Sequence, residues 1–298
     1  VHLSVLAEML DKDLPTALAV MRDHRLAFVD LKQHVYDSRI HQLDGDQRYR
    51  LHDDLRRHNV ELYCLASTLG HRNVLATPER GFRDELEQGI ANLLETVAIV
   101  RPRMIRLLAC SAISGTGERL LVTDVDRLAP WVFPAYREAI SQIASHGVTV
   151  TIENEPDSLL SSPEEVRTFF ARLDGCGDVG FTWDIQNMWQ SGVFPSVTVY
   201  ERMKPVINYV HLKGGRQAST VDSSLRYRCG LETASWPVVD LVRRVIADDI
   251  SPVVCLNTSH GELPDDDPFG DVAADVPRSR VEALRDLAYV RHHFEEFS

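Results

Sequence analysis

Paired cysteines, lysines, long apolar runs and a glycine-rich phosphate loop are scarce or missing from this 298-residue chain. Cys64, Cys110, Cys176, Cys229 and Cys255 stand singly, with no CxxC pair among them. An odd count at wide spacing argues against a disulfide framework and against a cysteine-based zinc site. A reducing compartment, and hence a cytoplasmic setting, is the expectation. No apolar run reaches the roughly 18 to 20 residues that cross a bilayer, so no membrane partner is expected. The opening VHLSVLAEMLDKD also lacks the basic start and apolar core of a signal peptide.

Lysine is confined to Lys12, Lys32, Lys204 and Lys213, and the formal net charge is −12. A surface of that sign repels phosphate backbones, so nucleic acid is not an expected partner. The segment SGTG at Ser114–Gly117 matches neither a P-loop nor a dinucleotide fingerprint and reads as a plain turn.

What is present is an alternation of short apolar runs with longer amphipathic ones. Strands are expected at 2–5, 26–31, 60–65, 104–109, 148–152, 179–183, 207–212 and 252–256. Their short length and β-branched content favour strand over helix, and several are continuously apolar, as buried parallel strands are. Helices are expected at Thr16–His24, Asp46–Arg57, Glu79–Val100, Ser235–Ala247 and Ser279–Phe294. Asp124–Ser145 reads as one helix or two, because Pro130 and Pro134 interrupt it. Ser162 followed by Pro163 and two acids is a helix start. The Asp-, Gly- and Pro-rich stretch between Asn257 and Pro277 reads as a loop. Eight strand–helix repeats without a change of composition predict one (β/α)8 TIM barrel domain over residues 1–298. An open doubly wound sheet usually carries a glycine-rich turn after its first strand, and none is present.

Barrel enzymes place their chemistry at the C-terminal ends of the strands. Three such ends carry Glu153 (VTVTIENEP), Asp184 (VGFTWDIQN) and His211 (INYVHLKGG). They are separated by 31 residues (184−153) and 27 residues (211−184), each about one strand plus one helix. Two carboxylates and an imidazole at one mouth make a ligand set for a divalent cation such as Mn²⁺, Mg²⁺, Co²⁺ or Zn²⁺. Taken singly, each has a plainer reading: a carboxylate capping a helix or pairing with Arg, or a histidine satisfied in the core. Their agreement on successive strands is what favours the site.

Lys213, two residues after His211, points to the same side if the strand persists. There it could polarise a substrate oxygen or stabilise an enediolate; otherwise it is a surface lysine before Gly214 and Gly215. Further candidates for substrate contact are His71 after the third strand, Arg106 within the fourth and Arg216 after the seventh. Trp183 could wall a sugar ring, although core packing is the commoner fate of such a residue. An in-strand arginine needs a polar partner or a substrate.

These motifs resemble the xylose-isomerase-like TIM-barrel superfamily of sugar isomerases and epimerases. Glu153-Asn154 resembles the family's Glu-Asn after strand five, and Asp184-Ile-Gln-Asn187 with Gly192 its Asp-x-x-His element. His211-Leu-Lys213 resembles its His-x-Lys on strand seven, and Cys229–Trp236 its approach to the last barrel helix. The resemblance implies a metal-dependent isomerase or epimerase acting on a small sugar, ketose or polyol through an enediolate, with Glu153 as ligand and proton carrier. Barrels of this kind often pair through loops at the active-site face, so a homodimer is an expectation.

Two departures bear on that reading. Asn187 replaces a histidine that contacts substrate in the family. The strand-eight glutamate that completes the family's metal site is also missing, and Leu256 or Asn257 stands there according to register. Asn257 would ligate through its amide oxygen, or His260 or Glu262 would reach in from the loop. Two other readings stay open: a non-catalytic barrel that binds carbohydrate or a partner protein, and a phosphodiester hydrolase of the apurinic-endonuclease kind. The acidic charge and Asn187 count against the last.

Overall fold

The eight apolar runs close into one parallel barrel in a computed structural model of the protein, which describes residues 1–258 and 278–297. The strands are β1 (His2–Leu6), β2 (Phe28–Lys32), β3 (Glu61–Ala66), β4 (Met104–Leu108), β5 (Thr149–Glu153), β6 (Val179–Asp184), β7 (Ile207–Leu212) and β8 (Val253–Leu256). Each pairs with its neighbours in chain order, and β8 closes on β1 through His2↔Val253 to Val5↔Leu256. Side chains on both faces of such a strand leave water, which is why β4 reads MIRLL with every residue buried. The loop foreseen between Asn257 and Pro277, with His260 and Glu262, lies outside the described residues.

The outer layer consists of α1 (Ala7–Leu10), α2 (Leu14–Asp23), α3 (Gly45–His58), α4 (Glu79–Val100), α5 (Val122–Leu128), α6 (Val132–Ala144), α7 (Pro163–Ala171), α8 (Ile185–Gln190), α9 (Val197–Met203), α10 (Val238–Ala247) and α11 (Arg278–His293). The stretch 124–145 is two helices. Pro130 falls in the break, and Pro134 sits in the first turn of α6, where its missing N–H costs nothing. Ser162 caps α7 by accepting from the Glu165 N–H at 3.3 Å. Helix α10 starts at Val238 rather than Ser235, since Pro237 forces the residue before it out of the helical region.

Short helices α1, α8 and α9 were not foreseen. Neither were two small hairpins on the loops after β2 (His34–Val35 with Ser38–Arg39) and β7 (Arg216–Gln217 with Leu225–Tyr227). Both hairpins stand at the C-terminal end of the barrel, as does α8, which begins where β6 stops.

Two contacts fix the rim after β7. A methyl group on Gly214 would meet the Cys229 carbonyl oxygen at 2.1 Å and that of Gly230 at 2.5 Å, so only glycine lets the two backbones approach. From α11, the buried Asp286 carboxylate accepts the Leu231 N–H at 2.7 Å. Burial pushes its pKa from 3.8 up to about 7.

Gly214→Ala should therefore destabilise the fold by about 2 kcal/mol, read as a lowered urea midpoint at unchanged slope. Asp286 titrates the other way from a salt-bridged acid. With its folded pKa above the unfolded one, the native state holds the extra proton, so stability falls as pH rises from about 4 to about 7. Asp286→Asn keeps the acceptor for Leu231 and should remove that component of the pH dependence, measured by denaturant unfolding at pH 4, 5.5 and 7.

Candidate active site

Four consecutive strands each deliver one polar side chain to the C-terminal mouth. Glu153 ends β5, Asp184 ends β6, His211 is the last but one residue of β7, and Asn257 directly follows β8. All four are buried. Parallel register aligns them: Asp184 lies beside His211 across β6–β7, and His211 beside Cys255 across β7–β8.

The donor atoms converge. His211 Nδ1 lies 3.0 Å from Glu153 Oε1 and 3.9 Å from Asp184 Oδ2. Asn257 Nδ2 lies 3.1 Å from Asp184 Oδ2 and 3.4 Å from His211 Nδ1. One ligand atom from each of Glu153, Asp184 and His211 falls within 4.8 Å of the other two. Bonds of about 2.0–2.2 Å to one small cation bring ligand atoms to about 3–3.5 Å of each other, so the spacing suits such an ion. The buried Asn257 Oδ1 has no hydrogen-bond partner among the described residues, and an amide flip would turn this oxygen into the cluster as a fourth donor. The residues present fit a divalent cation.

Each carboxylate is also paired with a buried cation. Arg106, fully buried on β4, donates Nη1 to Glu153 Oε2, and its Nη2 to the carbonyls of Ala66 (3.2 Å) and Ser67 (2.7 Å). It is thus a clamp beneath the cluster: its two terminal nitrogens are spent on protein acceptors, and its buried Nε has no hydrogen-bond partner among the described residues. Burial alone would push the Glu153 carboxyl up. Arg106 and His211 override it and hold Glu153 well below the usual carboxylate range. Lys213 Nζ lies 2.7 Å from Asp184 Oδ2 and 3.4 Å from Asn187 Oδ1.

Asp184 does a second task. Its Oδ1 accepts the Asn187 N–H at 2.9 Å, capping α8 and fixing which oxygen faces the cluster. Asn154 holds the backbone of Asp184 from both sides, accepting from its N–H at 2.9 Å and donating to its carbonyl at 3.0 Å. Asn187 in turn donates to the Asn154 carbonyl at 2.9 Å and to Glu155 Oε2 at 3.3 Å. Asn187 therefore ties the ends of β5 and β6 together. Glu155 is half-buried at the mouth, and burial and the neighbouring Glu153 raise its pKa.

Beneath His211 lies a polar layer that sequence reasoning missed. Asp30 accepts the Tyr209 hydroxyl at 2.8 Å, and Ser4 and Tyr209 share a further hydrogen bond of 2.8 Å. Asp30 Oδ2 stands 3.9 Å from His211 Nε2, which has no hydrogen-bond partner among the described residues. Burial raises the pKa of Asp30. An aspartate inside the run LAFVDL was the available signal, since a charge in a buried strand needs a partner.

Three candidates stand apart from the cluster. Trp183 is turned outward by strand alternation, because Asp184 beside it points in; it stacks on Tyr200 of α9 with ring centroids 6.2 Å apart. His71 is exposed on the loop after β3, where it lines a cleft of about 200 Å³ with Gln33, Arg39 and Arg72. Arg216 is exposed in the hairpin after β7 and donates to the Thr233 carbonyl at 2.9 Å. A groove of about 980 Å³ lies at the opposite end of the barrel, on the residues that lead into β2, β3, β4 and β5, away from these side chains.

No curated protein matches the chain in sequence. Solved structures do match in fold. A xylose isomerase-like TIM barrel protein from Mycobacterium smegmatis, in complex with magnesium, superposes with a TM-score of 0.70 at 13% identity over 99% of this chain and 97% of its own. The D-allulose 3-epimerase of Methylomonas sp. gives 0.70 at 11% identity, covering 98% of this chain and 97% of its own. The 3-keto-D-glucoside 4-epimerase of E. coli gives 0.67 at 13% identity, with 98% of each chain covered. Identities this low speak for the shared barrel alone. In sequence, the family profile described as xylose isomerase-like TIM barrel matches residues 20–273, most of the chain, and the protein belongs to that family.

Proposed function

We propose that the protein is a divalent-metal-dependent isomerase or epimerase acting on a small sugar, ketose or polyol through an enediolate-type intermediate. The observation that carries this reading is the convergence of Glu153, Asp184 and His211, with donor atoms within 4.8 Å of one another, at the C-terminal mouth of the barrel. Fold neighbours named as sugar epimerases, one of them described with D-allulose and another protein with magnesium, make the substrate class and the ion reasonable choices.

Glu153, Asp184 and His211 would hold the cation, with Asn257 as a fourth donor through its amide oxygen. The bound cation would polarise adjacent carbonyl and hydroxyl oxygens and acidify the C–H between them. The chain's own residues supply the rest. Arg106 keeps Glu153 ionised and aimed, and Asn154 and Asn187 lock the strand ends that carry the ligands. Lys213, on the mouth side of Asp184, offers an ammonium to an oxygen that gains charge.

The proton belongs to a carboxylate at the end of β5. Glu153 has one oxygen on Arg106 and the other on His211, so it accepts a proton only when one of those contacts opens. The Glu155 carboxylate, two residues on, has among the described residues a single long hydrogen bond, from Asn187 at 3.3 Å, and sits closer to solvent. The two carboxylates thus divide the work, Glu153 as ligand and Glu155 as proton carrier. Neutral Asn257 cannot take up a proton at pH 7, which leaves the opposite face of the substrate without a base from β8. One-base 1,2-isomerisation suits this arrangement better than two-base epimerisation.

One observation favours a second reading. Glu153 and Asp184 already balance two buried cations, so the mouth needs no metal to neutralise them, which a non-catalytic carbohydrate-binding barrel would equally require.

Elemental analysis separates the two. Purified protein reconstituted with Mn²⁺ should retain about one equivalent through gel filtration, and Asp184→Ala should retain none. Wild-type protein without affinity for Mn²⁺, Mg²⁺, Co²⁺ or Zn²⁺ would end the enzymatic proposal. Glu153→Gln should lose the ion, whereas Glu155→Gln should keep it and lose about 10²-fold in turnover on a responsive ketose. Equal metal loss in both variants would remove the division of labour.

A further inference from the structure

The buried charges at the mouth form two closed pairs. Arg106 meets Glu153, and the Lys213 ammonium meets Asp184 at 2.7 Å. The second pair differs from the first in which oxygen it uses. Arg106 takes Glu153 Oε2 and leaves Oε1 to face His211. Lys213 sits on Asp184 Oδ2, the oxygen that faces His211, because Oδ1 is committed to the Asn187 N–H. Arg106 therefore leaves its carboxylate's inward oxygen open, whereas Lys213 occupies the inward oxygen itself.

A divalent cation bound to that oxygen and an ammonium held on it would place two like charges on one atom. In a buried setting such repulsion is screened far less than in water. Lys213 has somewhere else to go: Asn187 Oδ1 already lies 3.4 Å from its Nζ. Its backbone stays fixed through the move, since its carbonyl accepts the Trp236 indole N–H at 3.1 Å and Gly214 is wedged against Cys229 and Gly230.

We infer that Lys213 is a built-in counter-ion for Asp184, and that its ammonium and a divalent cation occupy Asp184 Oδ2 in mutual exclusion. The inference rests on the metal reading above and deepens it. Without the ion, Lys213 neutralises Asp184 and the barrel mouth stays balanced. With the ion, the ammonium swings towards Asn187 and the substrate side. The absence of a carboxylate at Asn257 sharpens the competition, because two acids rather than three must attract the cation against a resident charge.

Calorimetric titration of Mn²⁺ into metal-stripped wild type, Lys213→Met and Lys213→Gln tests it. Both variants should bind at least about tenfold more tightly than wild type, since a resident like charge has been removed. After chelator treatment the variants should melt roughly 5 °C or more below wild type, because Asp184 is left as an unpaired buried charge. Added Mn²⁺ should close that gap. Variants that bind Mn²⁺ no more tightly than a wild type that does bind would overturn the inference and leave the metal reading standing. No binding by any of the proteins would overturn both.

If the variants do not fold, wild type answers directly. The chain has four lysines, so the Lys213 ¹⁵Nζ resonance can be assigned after changing Lys12, Lys32 and Lys204 to Arg. Saturation with diamagnetic Mg²⁺ should shift it as the ammonium leaves Asp184. An unmoved resonance at demonstrated Mg²⁺ saturation would refute displacement.

Discussion

The pairing of Glu153 with Arg106 is the interaction on which the mouth of this barrel depends. An ionised carboxylate buried this deeply needs an opposite charge beside it. Arg106 supplies that charge and spreads its two terminal nitrogens over Glu153 and the carbonyls of Ala66 and Ser67 at the end of β3, while its Nε has no hydrogen-bond partner among the described residues. It thereby joins three adjacent strands, β3, β4 and β5, at the level where the chemistry begins. Removing either partner would strand a buried charge, whereas exchanging both for apolar groups would take away the carboxylate oxygen that His211 meets.

The barrel was legible because buried parallel strands leave a plain signature. The run VVCL is apolar throughout and MIRLL is apolar but for Arg106, and a polar residue at the end of a run, such as Asn257 after VVCL, marks the point where the strand leaves the core. The same logic exposed Glu153, Asp184 and His211. Partner relations were less legible. Arg106 and Glu153 are 47 positions apart, and nothing local ties them. Trp183, which could wall a sugar ring or pack in the core, stacks on Tyr200 of α9, as alternation with the inward Asp184 dictates. Helices α8 and α9 are only six and seven residues long, too short to show a period, and α8 exists partly because Asp184 caps it.

The departure at strand eight changes the electrostatics more than the geometry. Asn257 reaches both Asp184 and His211, so a four-membered polar cluster persists. It brings no negative charge. Two carboxylates face two buried cations, one of which, Lys213, sits on the Asp184 oxygen that faces His211. Affinity for a dication in such a site depends on ligand charge as well as on ligand placement. On the proposed metal reading such a centre would hold a cation more weakly, and that gives the identity of residue 213 its weight.

The layer beneath completes the argument by acting on His211. A neutral imidazole has one proton to place. On Nδ1 it serves Glu153 Oε1, 3.0 Å away, and the nitrogen facing the cluster then has no lone pair to offer. On Nε2 it points at Asp30, 3.9 Å away, and Nδ1 is free to ligate. Asp30 is held there by the Tyr209 hydroxyl, which is itself tied to Ser4 on β1. In the structure the 3.0 Å contact to Glu153 favours the proton on Nδ1, since 3.9 Å is too long for a hydrogen bond to Asp30. A cation taken up by Nδ1 would send the proton to Nε2, where the buried carboxylate of Asp30, held by β1, β2 and β7 together, faces it.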